Sequence, residues 1–101
     1  MRLSDHQRFV IRNTVTETFG EGASVWLFGS RVDDCKRGGD IDLLIETDMN
    51  DINVLMRAEI TFLSRLMLRL GEQKIDVLLN YPSRKIHPPI FQIAKQTGIL
   101  L

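Results

Sequence analysis

The run Asp40-Ile-Asp-Leu-Leu-Ile45 constrains this chain most. It reads as a strand with Ile41, Leu43 and Ile45 on one face and Asp40 and Asp42 on the other. Residues two apart on a strand lie about 7 Å apart on the same face. Two carboxylates held that closely repel, and near a core they are costly unless something positive sits between them. An Arg or Lys would give an internal salt-bridge cluster. A pair of Mg²⁺ ions would serve equally, since Mg²⁺ takes one or two carboxylates together with water and phosphate oxygens. Two such metals can stabilise both the attacking and the leaving oxygens of a phosphoryl displacement.

Two further features share this chemistry. Lys74-Ile-Asp-Val-Leu-Leu79 reads as a strand carrying one acid, Asp76, where charged residues are depleted. If this strand neighbours the Asp40/Asp42 strand, Asp76 joins the same face. It would then be a further metal ligand, near an acceptor hydroxyl as general base. Upstream, Ala23-Ser-Val-Trp-Leu-Phe28 is a near-continuous apolar run, which suggests a strand covered on both faces. Gly29-Ser30 ends it abruptly. Glycine allows close backbone approach, and a following helical turn would aim backbone N–H groups at an anion, with the Ser30 hydroxyl as another donor.

The remaining elements follow from capping and periodicity. Ser4 with Gln7 is a capping-box signature, and Phe9, Val10, Val15 and Phe19 recur at helical spacing up to Gly20, so a helix is expected from Ser4 to Phe19. Asp48 to Asp51 offers N-caps for a helix ending at Leu70 before Gly71. Its apolar stripe is read as Ile52, Leu55, Met56, Leu63, Leu66, Met67 and Leu70, with the methionines as core filler. Pro88-Pro89 opens a short helix whose inner face is read as Ile90, Ile93 and Ala94. The expected class is α/β (α+β): a small three-stranded mixed sheet flanked by helices, in the order α-β-α-β-α-β-α. The second α in that order is a turn after Ser30.

Composition narrows the functional classes. At 101 residues and 11.6 kDa, residues 1–101 are expected to form a single domain around one core. Lys+Arg and Asp+Glu both number 13, so a generally basic nucleic-acid binder is not expected. Ten of those acids lie in residues 1–56, and seven of the basic residues follow. Cys35 is the single cysteine, which excludes an intramolecular disulfide. Lys36 and Arg37 beside it would lower its pKa, but without a His nearby in sequence it is not read as a catalytic thiol. His6 and His87 read as surface residues. With no long apolar run and no apolar leader core, a cytoplasmic protein without a membrane partner is expected.

The order of these motifs resembles the nucleotidyltransferase superfamily that includes DNA polymerase beta. Its pattern is an apolar strand, Gly-Ser or Gly-Gly, a variable loop, Asp-x-Asp on a strand, and a third Asp on a later strand. Here it reads Phe28-Gly29-Ser30, then a nine-residue loop, Asp40-Ile41-Asp42, and Ile75-Asp76-Val77. Leu27 to Arg31, Gly39 to Ile45 and the terminal Gly98-Ile99-Leu100 are similar to the small prokaryotic members. The resemblance implies that Gly29 and Ser30 contact a nucleoside triphosphate, with Arg31 touching phosphate. It implies that Asp40 and Asp42 ligate two Mg²⁺ ions (Mn²⁺ being an alternative). Asp76 would ligate the acceptor-side metal and help deprotonate the acceptor. The chain departs from the small members in carrying Val32-Asp33-Asp34 where Ala-Arg-Gly is common; Arg37 is then the candidate for the missing second loop arginine.

Length bears on the acceptor. A chain of this size is expected to have it presented by another chain or a second copy. That favours the minimal nucleotidyltransferases of toxin–antitoxin pairs, whose partner resembles a HEPN-domain ribonuclease toxin. The implied activity is transfer of AMP from ATP to a tyrosine hydroxyl of that toxin, with release of pyrophosphate. Two other readings stay open: a non-catalytic module that neutralises its partner by contact, and nucleotidyl transfer to a small molecule or RNA by a homodimer or larger homo-oligomer.

Overall fold

Ser4 starts the first helix as the capping box predicts. Its hydroxyl accepts from Gln7 N–H at 3.0 Å, and the Gln7 side chain accepts from Ser4 N–H at 2.9 Å. In the computed structural model, which describes residues 2–33 and 39–101, this helix is α1, Asp5–Phe19. Strand β1 follows at Ser24–Phe28, and a 3₁₀ turn at Gly29–Val32 takes the place of the expected helical turn. Strand β2 is Ile41–Glu46, and α2, Ile52–Leu70, starts where the Asp51 carboxylate accepts from the N–H groups of Asn53 and Val54. Strand β3 is Ile75–Asn80, and α3 is Pro89–Thr97. A two-residue strand, β4, Ile99–Leu100, adds to the three that the sequence predicts. The expectations for Asp34, Cys35, Lys36, Arg37 and Gly38 lie outside the described residues.

The sheet order is β3-β2-β1-β4. Strands β1 and β2 are antiparallel, β1 and β4 are antiparallel, and β2 and β3 are parallel. A parallel neighbour needs a long crossover, and α2 supplies it. β4 reaches β1 because Gly98 lets the chain pass close: a Cβ there would lie 2.2 Å from the Ala94 carbonyl oxygen and 3.2 Å from that of Leu27.

The two sheet faces differ as the alternation in β2 requires. Leu27, Ile41, Leu43 and Ile45 are buried with Ile11, Val15 and Phe19 of α1 and Leu55, Phe62 and Leu66 of α2. Phe19 and Phe62 meet edge to face, with centroids 5.8 Å apart. Above this core, Arg69 donates to Glu17 at 2.6 Å and to the buried Thr14 hydroxyl at 2.8 Å, tying α2 to α1. The opposite face is thinner: Phe28 and Leu44 pack under Phe91 and Ala94 of α3. The Phe91 ring is flanked by the Arg84 guanidinium, 4.5 Å from its centroid, and by the edge-on His87 ring.

Three expected core assignments change. Phe9 is exposed, and Ile11 and Thr14 take the inner face of α1. On α2 the buried positions are Leu55, Ala58, Phe62 and Leu66, while Ile52, Met56 and Met67 are exposed, so those methionines are not core filler. The apolar positions of α2 spread over more than half its circumference, and the sheet covers only one side. On α3, Phe91 and Ala94 face inward, whereas Ile90 and Ile93 are 39% and 51% exposed.

Phe62 carries the larger core. Truncating it, Phe62→Ala, is expected to lower the unfolding free energy by about 3–5 kcal/mol, read as a shifted midpoint in chemical denaturation with the slope unchanged.

Candidate active site

The register brings the predicted acids together. Phe28 pairs with Asp42 and Asp42 with Asp76, so these three residues form one row across β1, β2 and β3. The next row on that face is Trp26, Leu44 and Leu78, part of the apolar layer under α3. The acids therefore stand at the sheet end where β1 finishes and β2 and β3 begin. Asp40 precedes β2 and Lys74 precedes β3, one step outward, and the register extended by one residue sets them side by side. Asp40 and Asp42 are half-buried and Asp76 is exposed.

Electrostatics follow from this crowding. Burial pushes the Asp42 carboxyl up from its ordinary value, and the negative charges of Asp76 and Asp40 push it further. A hydrogen bond with Asp76 acts in the same direction, while Lys74 acts against it. The Lys74 ammonium lies 3.3 Å from an Asp40 oxygen. Its own pKa is raised, first by the hydrogen bond to Asp40, then by the fields of Asp40, Asp76 and Asp42. Lys74 thus plays the compensating role left open between a basic side chain and metal ions. It was legible as the residue two before Asp76, on the same face of that strand.

A divalent cation fits this donor set. All three groups offer hard carboxylate oxygens, and Asp42 is destabilised as an anion by its neighbours, a cost that a cation relieves. Among the described residues, no three His, Cys, Asp or Glu side chains already converge on one metal position. Asp40 shares its oxygen with Lys74, so the trio stands as a carboxyl pair beside an ion pair.

Gly29 borders the acids. Its φ is +77°, in the region that favours glycine, and a Cβ there would lie 2.2 Å from Asp42 Oδ2. Gly29 and Ser30 line a cavity of about 480 Å³ together with Phe28, Asp42 and the outer face of α3. Arg31 is not among its lining residues. Its guanidinium donates instead to the Arg2 carbonyl at 2.9 Å and the Gly39 carbonyl at 3.1 Å, so it ties both ends of this region to the turn. Asp33, exposed, lies at the rim of the same cavity.

Two outcomes test this geometry. Gly29→Ala is expected to cost at least about 1–2 kcal/mol of stability from the positive φ alone, and to displace the Asp42 carboxylate; denaturation and a crystal structure of the variant read both effects. Asp42→Asn should raise the thermal midpoint in the presence of a chelator at neutral pH. The folded protein holds the Asp42 proton more tightly than the unfolded chain, so ionising Asp42 opposes folding. That opposition is full above the folded-state pKa, shrinks as pH falls through it, and is gone below the ordinary value of 3.8. The gain from Asp42→Asn should shrink over the same interval, and a gain independent of pH would refute the assignment.

No curated protein matches the chain. Residues 10–100 match the family described as nucleotidyltransferase domain, a span that includes Gly29-Ser30 and all three acids. The match covers most of the chain, and the chain belongs to the nucleotidyltransferase domain family, a family of transferases that move nucleotidyl groups.

Proposed function

We propose that this domain transfers AMP from ATP to a tyrosine hydroxyl of a HEPN-domain toxin partner and releases pyrophosphate. The domain would act as the catalytic antitoxin of such a pair. The observation that carries the transfer chemistry is the row that sets Asp42 beside Asp76 across parallel strands, with Gly29 backed against Asp42. Membership of the nucleotidyltransferase family supports nucleotidyl transfer. The protein acceptor rests on the resemblance of Leu27 to Arg31 and Gly39 to Ile45 to the small prokaryotic members, the group in which the minimal antitoxins fall.

In this reading each residue has a distinct task. Gly29 and Ser30 would hold the triphosphate through their N–H and hydroxyl donors, and the missing Cβ of Gly29 leaves the room that the Asp42 carboxylate occupies. Asp40 and Asp42 would hold divalent ions, and Asp76 would complete the acceptor side. When bound, such ions neutralise the triphosphate and stabilise charge on the attacking and leaving oxygens. Asp76 is the exposed member of the row, so an incoming hydroxyl reaches it first. It accepts the hydroxyl proton as the oxygen attacks the α-phosphorus and the bond to the pyrophosphate oxygen breaks. Lys74 holds one Asp40 oxygen, so Asp40 would ligate through its other oxygen or after Lys74 swings away toward phosphate.

The apolar surface of α2 is consistent with a macromolecular partner. Ile52, Met56, Ile60 and Met67 are exposed along one helix face, more than scattered surface apolar residues require. Asp33 supports the second reading, a contact-only module, because an acid at the rim of the cavity repels a triphosphate.

Incubating the chain with its HEPN partner, ATP and Mg²⁺ should raise the partner's intact mass by one or more AMP units. Asp42→Asn and Asp76→Asn should each remove that increase. A partner bound stoichiometrically with unchanged mass would favour the contact-only module. Label incorporated into RNA or a small molecule by the chain alone would favour the third reading.

A further inference from the structure

The cavity beside Gly29 is built in two halves. One half carries Gly29, Ser30 and Asp42, with Val32 and Asp33 at its rim. The other is walled by Phe28 of β1 and by Ile90, Ile93 and Thr97, which share one side of α3 at helical spacing. Ile90 and Ile93 are large aliphatic side chains left open beside a polar site, although Phe91 and Ala94 already satisfy the packing of α3 on the sheet. Core formation therefore does not account for them. Thr97 is turned inward on its own helix, its hydroxyl donating to the Ile93 carbonyl at 2.7 Å. At about 480 Å³ the space suits a nucleotide-sized ligand.

We infer that the nucleoside half of the triphosphate lies in this space, its base resting on the aliphatic ledge of Ile90 and Ile93. The inference rests on the triphosphate binding proposed for Gly29 and Ser30. A ligand anchored there by its phosphates has its apolar, flat end directed along the same cavity, where two isoleucine faces meet it. Contact of this kind rewards area and shape, not the pattern of donors and acceptors on a base edge. Among the described residues, the α3 wall carries one hydroxyl, and its proton is already donated. The ledge therefore binds the base with little discrimination, and ATP and GTP should bind within about tenfold of each other.

The test compares titrations of the full chain, with Mg²⁺, by ATP, GTP and inorganic tripolyphosphate. The double variant Ile90→Ala/Ile93→Ala is expected to weaken ATP and GTP binding about tenfold or more and to leave tripolyphosphate binding unchanged. Ile86→Ala, exposed and away from the cavity, should change none of the three. Both positions are partly open, and a thermal melt verifies that the variant remains folded. ATP binding unchanged in the double variant overturns the ledge while leaving triphosphate binding intact. Equal weakening of ATP and tripolyphosphate by a folded variant also overturns it. A wild-type chain that binds neither ATP nor tripolyphosphate overturns both the ledge and the proposed function.

Discussion

The parallel pairing of β2 with β3 is the constraint on which the rest depends. It sets Asp42 against Asp76 and, by the same register, Leu43 against Val77 and Ile45 against Leu79. Because side chains alternate, one slip of a residue would turn the acids into the α1–α2 core and the leucines out. The apolar face thus fixes the geometry of the acidic one. The α2 crossover makes the parallel pairing possible, and its Leu55, Phe62 and Leu66 bury the face that locks the register.

This coupling explains how the fold tolerates its own site. Burial and the neighbouring charges of Asp76 and Asp40 keep Asp42 harder to ionise than a free aspartate, so its charge opposes folding, and Lys74 offsets that only in part. The compensation lies on the opposite side of the sheet, in a core with Ile11, Leu27, Ile41, Leu43, Ile45, Phe62 and Leu66 fully buried. In the proposed function, a cation held by these carboxylates would draw part of its affinity from relieved repulsion at Asp42. Lys74 acts against that affinity by occupying an Asp40 oxygen, and its exposed, flexible side chain makes the contact readily reversible.

Much of this was legible in the sequence because it rests on local signals. The Ser4–Gln7 box, the N-cap candidates from Asp48 to Asp51 and the Gly20 and Gly71 stops place both long helices to within a few residues. Alternation in Asp40 to Ile45 shows two faces of opposite character. The single acid of the Asp76 strand reads by itself as edge-exposed or as part of a neighbouring site, and it is both exposed on the edge strand and paired beside Asp42. Rotational phase was less legible. An apolar stripe wider than the surface it meets does not say which half is covered, so Met56 and Met67 read as core although they lie outside it. In α3, Pro88-Pro89 marks the start but leaves open whether Ile90 or Phe91 turns inward; Phe28 and Leu44 beneath it decide that. β4 has two residues, too few for any period, and exists because Gly98 permits close passage by β1.

The phase of α3 is where fold and chemistry meet. Turning Ile90 and Ile93 inward, the arrangement that the sequence pattern suggests, would change what covers Phe28 and Leu44. It would also move the Phe91 ring away from Arg84 and His87, which grip it from two sides. Those two residues belong to the segment joining β3 to α3, so the loop after the Asp76 strand sets the rotation of the helix that walls the cavity. Arg84 also donates to the Leu79 carbonyl, and His87 shares a hydrogen bond with the Asn80 side chain, both at the end of β3. One short segment therefore links the strand that carries the third acid to the helix face that borders Gly29. The acidic row and the cavity-lining residues, though remote in sequence, are linked through the aromatic contacts on Phe91.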